Sequence, residues 1–204
     1  MWLIAHEPDS GCSPPYTCVL WPSVQRDFLL SLASEHLYRP VWSWRLLEEV
    51  GYVELRKLIK RDASPENATR CAACLVDQMR AAFSDAEVVG WEGLEGTYGL
   101  PDPDDEHVVA AAVVGGAGAI VTDNVDDLPQ DRMPNGIDVL PPAEFALNTV
   151  ALDPASGLRA LREIARRSGS NGRPVRTVDG LLVILEDRYG MTGAVELIRQ
   201  AADP

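Results

Sequence analysis

The sequence predicts an α/β fold in which helices wrap a parallel sheet. Short apolar runs, partly β-branched, alternate along the chain with longer segments of helical periodicity. The composition is typical of a globular protein, with 46% hydrophobic and 24% charged residues. A chain of 204 residues is long enough for one ordinary domain with a small appendage.

Each element follows from a local pattern. Strands are predicted at four apolar runs: residues 17–21, 86–91, 119–122 and, more weakly, 137–140. Helices are predicted after Pro22, after an N-cap at Ser43, from Ser64, and over residues 106–114, where Gly115 begins the helix end. Pro40 is interpreted as a break between the first two helices, and the pair Pro141-Pro142 as the end of the last strand.

Three segments are expected along the chain. Residues 1–15 are rich in Pro, Ser and Gly, and are predicted to be an irregular N-terminal arm. Residues 16–149 form the main domain, and residues 150–204 form a C-terminal helical extension with three amphipathic patterns. Because three short helices bury little by themselves, they should pack on the main domain or on a partner.

The charge distribution excludes a general binder of nucleic acid or anionic membranes. Lys and Arg number 18 against 31 Asp and Glu, a net charge of −13, and nonspecific binding to phosphate needs the opposite sign. Contact with nucleic acid should therefore use bound metal ions or a local basic patch. Eight acids, with no Lys or Arg among them, fall within residues 102–131. A cation between them would offset their repulsion.

The expected location is the cytoplasm, without a membrane span. No run of eighteen apolar residues occurs, and the first residues lack the basic leader and apolar stretch of a signal peptide. The four cysteines are then expected to be reduced thiols. Cys71 and Cys74 lie in a helical pattern among alanines, which favours small packed side chains over a zinc site.

Several acids are expected to meet at one edge of the sheet. Asp123 and Asn124 follow the strand at 119–122, while Asp102 and Asp105 precede the next helix. In α/β sheets, active residues gather beyond the carboxyl ends of the strands. Carboxylates and a carboxamide suit Mg²⁺ or Mn²⁺, which lowers the pKa of water and stabilises phosphoryl displacement. Phosphodiester hydrolysis fits this set best.

Ordinary capping is the alternative explanation of the same residues. Asp is common at helix N-termini and in the turns after strands. From spacing alone, the two interpretations have about equal weight. Glu49, on the helix after Ser43, would by itself be a solvated helix residue. His107 is open to three interpretations: support of a metal site, contact with RNA, or an ordinary helix position.

Two longer motifs resemble a known family. Residues 100–112 read LPDPDDEHVVAAA, and residues 119–129 read AIVTDNVDDLP. In this order they resemble the PIN domain and, more narrowly, the VapC-like toxins of bacterial type II toxin–antitoxin modules. Residues 18–27 and 42–50 extend the resemblance, which covers residues 16–147.

The resemblance implies an α/β/α sandwich with a central parallel sheet and an Mg²⁺- or Mn²⁺-dependent endoribonuclease that cuts RNA. It further implies inhibition by a cognate antitoxin, a small DNA-binding protein, and it suggests a homodimer. Glu49 matches the family's second acid, Asp105 the third, and Asn124 the fourth position. The residues expected to be catalytic are Glu49, Asp102, Asp105, Asn124 and Asp127. The residues expected to bind metal are Glu49, Asp102, Asp105, Asp123 and Asn124.

The first acidic position of the family departs from the pattern, because Tyr16 occupies it. A phenol is neutral near pH 7 and cannot replace a carboxylate ligand. The loss should weaken metal affinity and catalysis. A second hypothesis is therefore a catalytically degenerate PIN scaffold that binds an antitoxin or RNA, and a third is a nuclease for structured DNA.

Overall fold

The computed structural model describes residues 2–5, as backbone alone, together with residues 24–169 and 175–202. The strands are β1 (Trp2–Ala5), β2 (Arg39–Ser43), β3 (Glu87–Val88), β4 (Ala117–Val121) and β5 (Asp138–Leu140). The helices are α1 (Val24–Ser34), α2 (Trp44–Ile59), α3 (Pro65–Ala82), α4 (Glu106–Gly115), α5 (Pro142–Leu152), α6 (Pro154–Arg167), α7 (Val178–Tyr189) and α8 (Thr192–Ala202).

The strands pair in the order β3-β2-β1-β4-β5. Two short pairs, β2 with β3 and β4 with β5, are parallel. Between them β1 runs antiparallel to both neighbours, with Leu3 opposite Val41 on one side and Ile120 on the other. Four strands therefore share one direction, so their carboxyl ends lie at the same edge.

The α/β class is confirmed, whereas a central sheet with only parallel strands is not. The reversed strand, β1, lies in the segment expected to be an irregular arm. A four-residue apolar run carries too little periodicity to identify a strand or its direction. The strand predicted at 17–21 and the atypical Tyr16 lie outside the described residues.

Helices cover both faces of the strands. Neighbouring strand residues point to opposite faces, so apolar residues on both faces need to be buried. Ile120 packs in a cluster with the buried helix α4, while Val121 packs with α1 and α5–α8. On β2, Val41 joins the α4 cluster, and Trp42 packs against α2 and α3. The α4 helix is apolar on nearly every side, as expected for a helix buried in a core.

The predicted helix caps are formed. The Ser43 hydroxyl accepts a hydrogen bond from the Leu46 backbone N–H at 3.1 Å, and the Ser64 hydroxyl accepts one from Asn67 at 3.4 Å. Gly116, in the left-handed conformation with φ of 64°, ends α4. The chain therefore leaves β2 and enters α2 directly through Ser43, which fixes the start of the helix that carries Glu49.

One proline position was misread from sequence, and a second has a role beyond the predicted one. Pro40 lies inside β2 rather than breaking the chain. The last strand ends at Leu140, directly before Pro141-Pro142, as expected, but Pro142 also opens α5, a helix that was not predicted. Proline suits the first turn of a helix, where its missing N–H is not needed. The boundary expected at residue 149 falls inside α5; the division into segments remains a prediction.

The C-terminal helices share one apolar cluster with α1 and α5. Leu161 of α6, Leu185 of α7 and Ile198 of α8 are buried there beside Phe28 of α1. Arg159 adds a polar contact, with its Nε 2.7 Å from Glu35 at the end of α1. Within the described ranges, no helix combines the length and apolarity needed to cross a membrane.

Gly115 marks the closest approach of α4 to the strands. A Cβ at this position would lie 2.5 Å from Val41 Cγ1 and 2.9 Å from Val88 Cγ2. Both neighbours are β-branched and therefore stiff. We expect Gly115→Ala to lower the free energy of unfolding by about 1–3 kcal/mol, the usual cost of overpacking, as measured by chemical denaturation. Gly118→Ala is the matched control, because its Cβ would meet no atom within 4 Å. Equal stability of the two variants would contradict this packing.

Candidate active site

Three segments bring the predicted site residues to the edge where four strands end. The α2 helix follows β2 and carries Glu49. After β4, the chain turns through Thr122, whose hydroxyl accepts a hydrogen bond from the Asn124 N–H at 3.0 Å. A third segment precedes α4: the Asp102 carboxylate accepts a hydrogen bond from the Asp104 N–H at 2.9 Å, which caps the short turn that ends at Asp105.

Asp105 lies at the centre of this group. Burial raises the pKa of its carboxyl group, and the neighbouring carboxylates of Asp102, Asp127 and Glu49 raise it further, while His107 opposes them. The Asp105 side chain makes no capping hydrogen bond with its own helix. A side-chain cap therefore does not explain Asp105, whose carboxyl group is influenced by the charges of three other acids.

The other predicted site residues have different contacts. Asn124 donates a hydrogen bond from Nδ2 to the Asp127 carboxylate, so these two side chains form a pair. The Glu49 Oε1 lies 2.9 Å from His107 Nε2. Asp123 contributes to the site differently, because it lines a cleft together with Glu49.

The cleft has a volume of about 220 Å³ and opens beside the acids. It is lined by Gln25, Arg26, Leu46, Glu49, Val50, Val53, Lys57, Thr122, Asp123 and Pro142. Arg26 is buried and forms an ion pair with Glu54 at 3.4 Å. Lys57 is exposed and contributes one positive charge to the cleft that Glu49 and Asp123 also line. The cleft therefore offers a positive charge that could contact a phosphate and apolar side chains that could contact a neighbouring ring.

The donor chemistry of this edge fits a hard divalent cation, because its side chains offer carboxylate and carboxamide oxygens. The excess negative charge around Asp105 also favours the binding of a cation. The predicted ligands nevertheless do not form one closed cluster: in the described parts of the chain, no three Asp, Glu, His or Cys side chains are grouped closely enough to hold an ion.

Two supporting residues were missed from sequence. Arg45 lies one helical turn before Glu49, and its guanidinium contacts Glu95 at 2.5 Å, Asp104 at 3.7 Å and Glu49 at 4.0 Å. It links α2 to the loop that carries Asp102. The spacing of four residues between Arg45 and Glu49 was a visible signal, but the contacts with Glu95 and Asp104 were not.

Glu106 is the second missed residue. It is buried, and its carboxylate accepts hydrogen bonds from the backbone N–H groups of Tyr98 at 3.1 Å, Gly99 at 2.7 Å and Leu100 at 3.2 Å. These bonds, led by the one from Tyr98, hold the pKa of Glu106 below its usual range. The side chain thereby fixes the loop that leads into Asp102 and Asp105.

A comparison with protein families gives one match: residues 18–126, slightly more than half of the chain, match the PIN domain. No curated protein and no solved structure matches the chain.

Removing the charge of Glu106 should weaken the fold in a pH-dependent way. A pKa that is lowered on folding contributes stability above the unfolded value, and this contribution is lost as the pH falls. Glu106→Gln should therefore unfold at a lower temperature than the unchanged protein near neutral pH, with the difference shrinking below about pH 4. Thermal unfolding across this range is the measurement, with the exposed Glu48→Gln as control. A difference that is independent of pH would contradict the assignment.

Removing the charge of Asp105 should have the opposite effect on the unfolding temperature. Its pKa is raised on folding, so the ionised carboxylate destabilises the metal-free fold once the pH exceeds the folded pKa. In a chelating buffer near neutral pH, we expect Asp105→Asn to unfold at a higher temperature than the unchanged protein. The gain should disappear below about pH 4, where the Asp105 carboxyl group of the unchanged protein is protonated in both the folded and the unfolded state. Asp126→Asn, at an exposed acid of the same edge, is the control. A destabilised Asp105→Asn at neutral pH would argue against crowding of the carboxylates.

Proposed function

The chain belongs to the PIN domain family, whose membership suggests nuclease function, and we propose that it is a metal-dependent endoribonuclease. More narrowly, we propose that it is a VapC-like toxin of a type II toxin–antitoxin module. The observation that carries the nuclease proposal is the shared edge of the sheet where the segments with Glu49 and Asn124 leave β2 and β4. Asp105 is half-buried beside them, and the neighbouring carboxylates raise its pKa further. Carboxylates crowded in this way repel one another, and a cation bound among them offsets that repulsion.

The residues proposed to hold Mg²⁺ or Mn²⁺ are Glu49, Asp102, Asp105, Asp123 and Asn124. When bound, the ion would supply an activated water and stabilise the charge that develops on the phosphate. Asp127 keeps Asn124 oriented through their hydrogen bond. Glu49 and Asp123 border the cleft, so an RNA backbone placed there would reach the acids, with Lys57 near its phosphate.

Two observations favour a second candidate, a degenerate PIN scaffold that binds an antitoxin or RNA without cutting it. One is Tyr16 at the family's first acidic position. The other is the open arrangement of the acids across the described residues. Binding of Mn²⁺ at micromolar concentration would contradict a scaffold without a metal site. Growth arrest gained by Tyr16→Asp would support inactivation at that position.

The biological setting rests on the family resemblance alone. We propose a cognate antitoxin as the partner, encoded beside this chain as a small DNA-binding protein, and we propose the cytoplasm as the location. A homodimer is proposed on the same ground. A neighbouring reading frame that encodes such a protein, and that restores growth when co-expressed, would support the toxin assignment.

Cleavage of RNA is the direct test of the nuclease. The unchanged protein should cleave single-stranded RNA with Mn²⁺, and excess chelator should abolish the activity. Asp105→Asn should lower the rate by at least about 100-fold, because it removes a carboxylate from the proposed metal site. Glu48→Gln, an exposed acid on the same helix as Glu49, should retain the activity. Undiminished cleavage by Asp105→Asn would remove the proposed site. Single-stranded RNA and structured DNA should be assayed side by side, since preference for DNA would favour the third hypothesis.

A further inference from the structure

His107 is a buried polar group that the proposed mechanism leaves without a role. Its side chain is 0% exposed. Neither ring nitrogen makes a hydrogen bond with the described residues. Buried polar groups normally have such partners, because an unsatisfied donor or acceptor loses its hydration without compensation. An imidazole left in this state at the edge of the acids needs an explanation.

The geometry directs His107 toward Glu49. Nε2 lies 2.9 Å from Glu49 Oε1, which is hydrogen-bond distance, although the ring N–H is not aligned with the oxygen. The imidazole also packs against the buried ring of Trp91, with 5.9 Å between ring centroids. The imidazole is fixed by this packing, whereas the Glu49 side chain is 50% exposed and free to adjust.

Among the described residues, the nearest approaches of His107 and Arg45 to Glu49 are both to Oε1. His107 Nε2 and the more distant Arg45 Nε, at 4.0 Å, approach Oε1. A carboxylate held through one oxygen keeps the other available for a ligand. Carboxylates that bind metals are commonly oriented by hydrogen bonds of this kind, and such bonds often align only when the ligand is bound.

We propose that His107 is a positioning residue that fixes the Glu49 carboxylate through Oε1 and leaves Oε2 for a divalent cation. This inference rests on the proposed function, because it assigns Glu49 to a metal site. It also explains why an imidazole without a hydrogen bond is buried at this point. Ordering a half-exposed glutamate before the cation arrives reduces the entropy that binding must overcome.

The test compares Mn²⁺ affinity in full-length variants, with free Mn²⁺ measured by electron paramagnetic resonance. His107→Phe keeps an aromatic ring without a donor, and it should weaken binding by about 10–100-fold. His107→Gln restores an N–H near the position of Nε2, and its affinity should stay within roughly threefold of the unchanged protein, a smaller loss than for His107→Phe. Thermal unfolding of each variant in chelator checks that the fold is intact.

A double-mutant cycle separates positioning from a general structural effect. In a Glu49→Gln background, His107→Phe should cause no further loss of affinity, because the carboxylate it acts through is gone. In the matched Glu48→Gln background, it should cause its full loss. An equal loss in the Glu49→Gln background would overturn the proposal, since His107 would then act on the ion directly or through the fold.

The remaining outcomes are also decisive. If the unchanged protein binds Mn²⁺ and His107→Phe binds it equally well, the positioning role is wrong while the metal site stands. If the unchanged protein binds no Mn²⁺ up to millimolar concentration, the proposed metal-dependent function fails, and the role of His107 fails with it.

Discussion

Repulsion among the carboxylates at one edge of the sheet is the constraint on which the rest of this structure depends. Asp105 is half-buried and faces three other acids, so its ionised form is disfavoured by burial and by charge. The neighbouring structure offsets this crowding. Asp105 lies at the N-terminus of α4, where the helix dipole favours negative charge. Arg45 adds a positive charge between α2 and the loop that carries Asp102.

The shared direction of four strands explains why these acids meet. β2 and β4 lie on either side of β1 and both run opposite to it, so the segments after them leave the sheet at one edge. One segment begins α2, and the other is the turn from Thr122 to Asn124. The α4 helix then packs beneath both strands, through Val41 and Ile120, and brings Asp105 and His107 to the same place.

Much of this arrangement could be predicted, because it depends on local patterns. Short-range patterns account for the Ser43 cap, the end of α4 at its glycines and the apolar β4 strand. Several of the candidate acids could be identified from sequence because they lie next to these elements. Contacts between distant segments had no such signal. The bonds of Glu106 to the loop at 98–100 and the closeness of His107 to Glu49 depend on tertiary packing. The reversed β1 and the helix opened by Pro142 were missed because short apolar runs and prolines allow more than one conformation.

The passage of α5 across residue 149 has a consequence for any shortened version of this chain. A protein trimmed at that point would end within a helix and lose the α6–α8 side chains that cover Phe28 and Leu32 of α1. The uncovered face would be a contiguous apolar surface, which promotes self-association in water. The minimal soluble fragment should therefore retain the last three helices, although none of the proposed site residues lies in them.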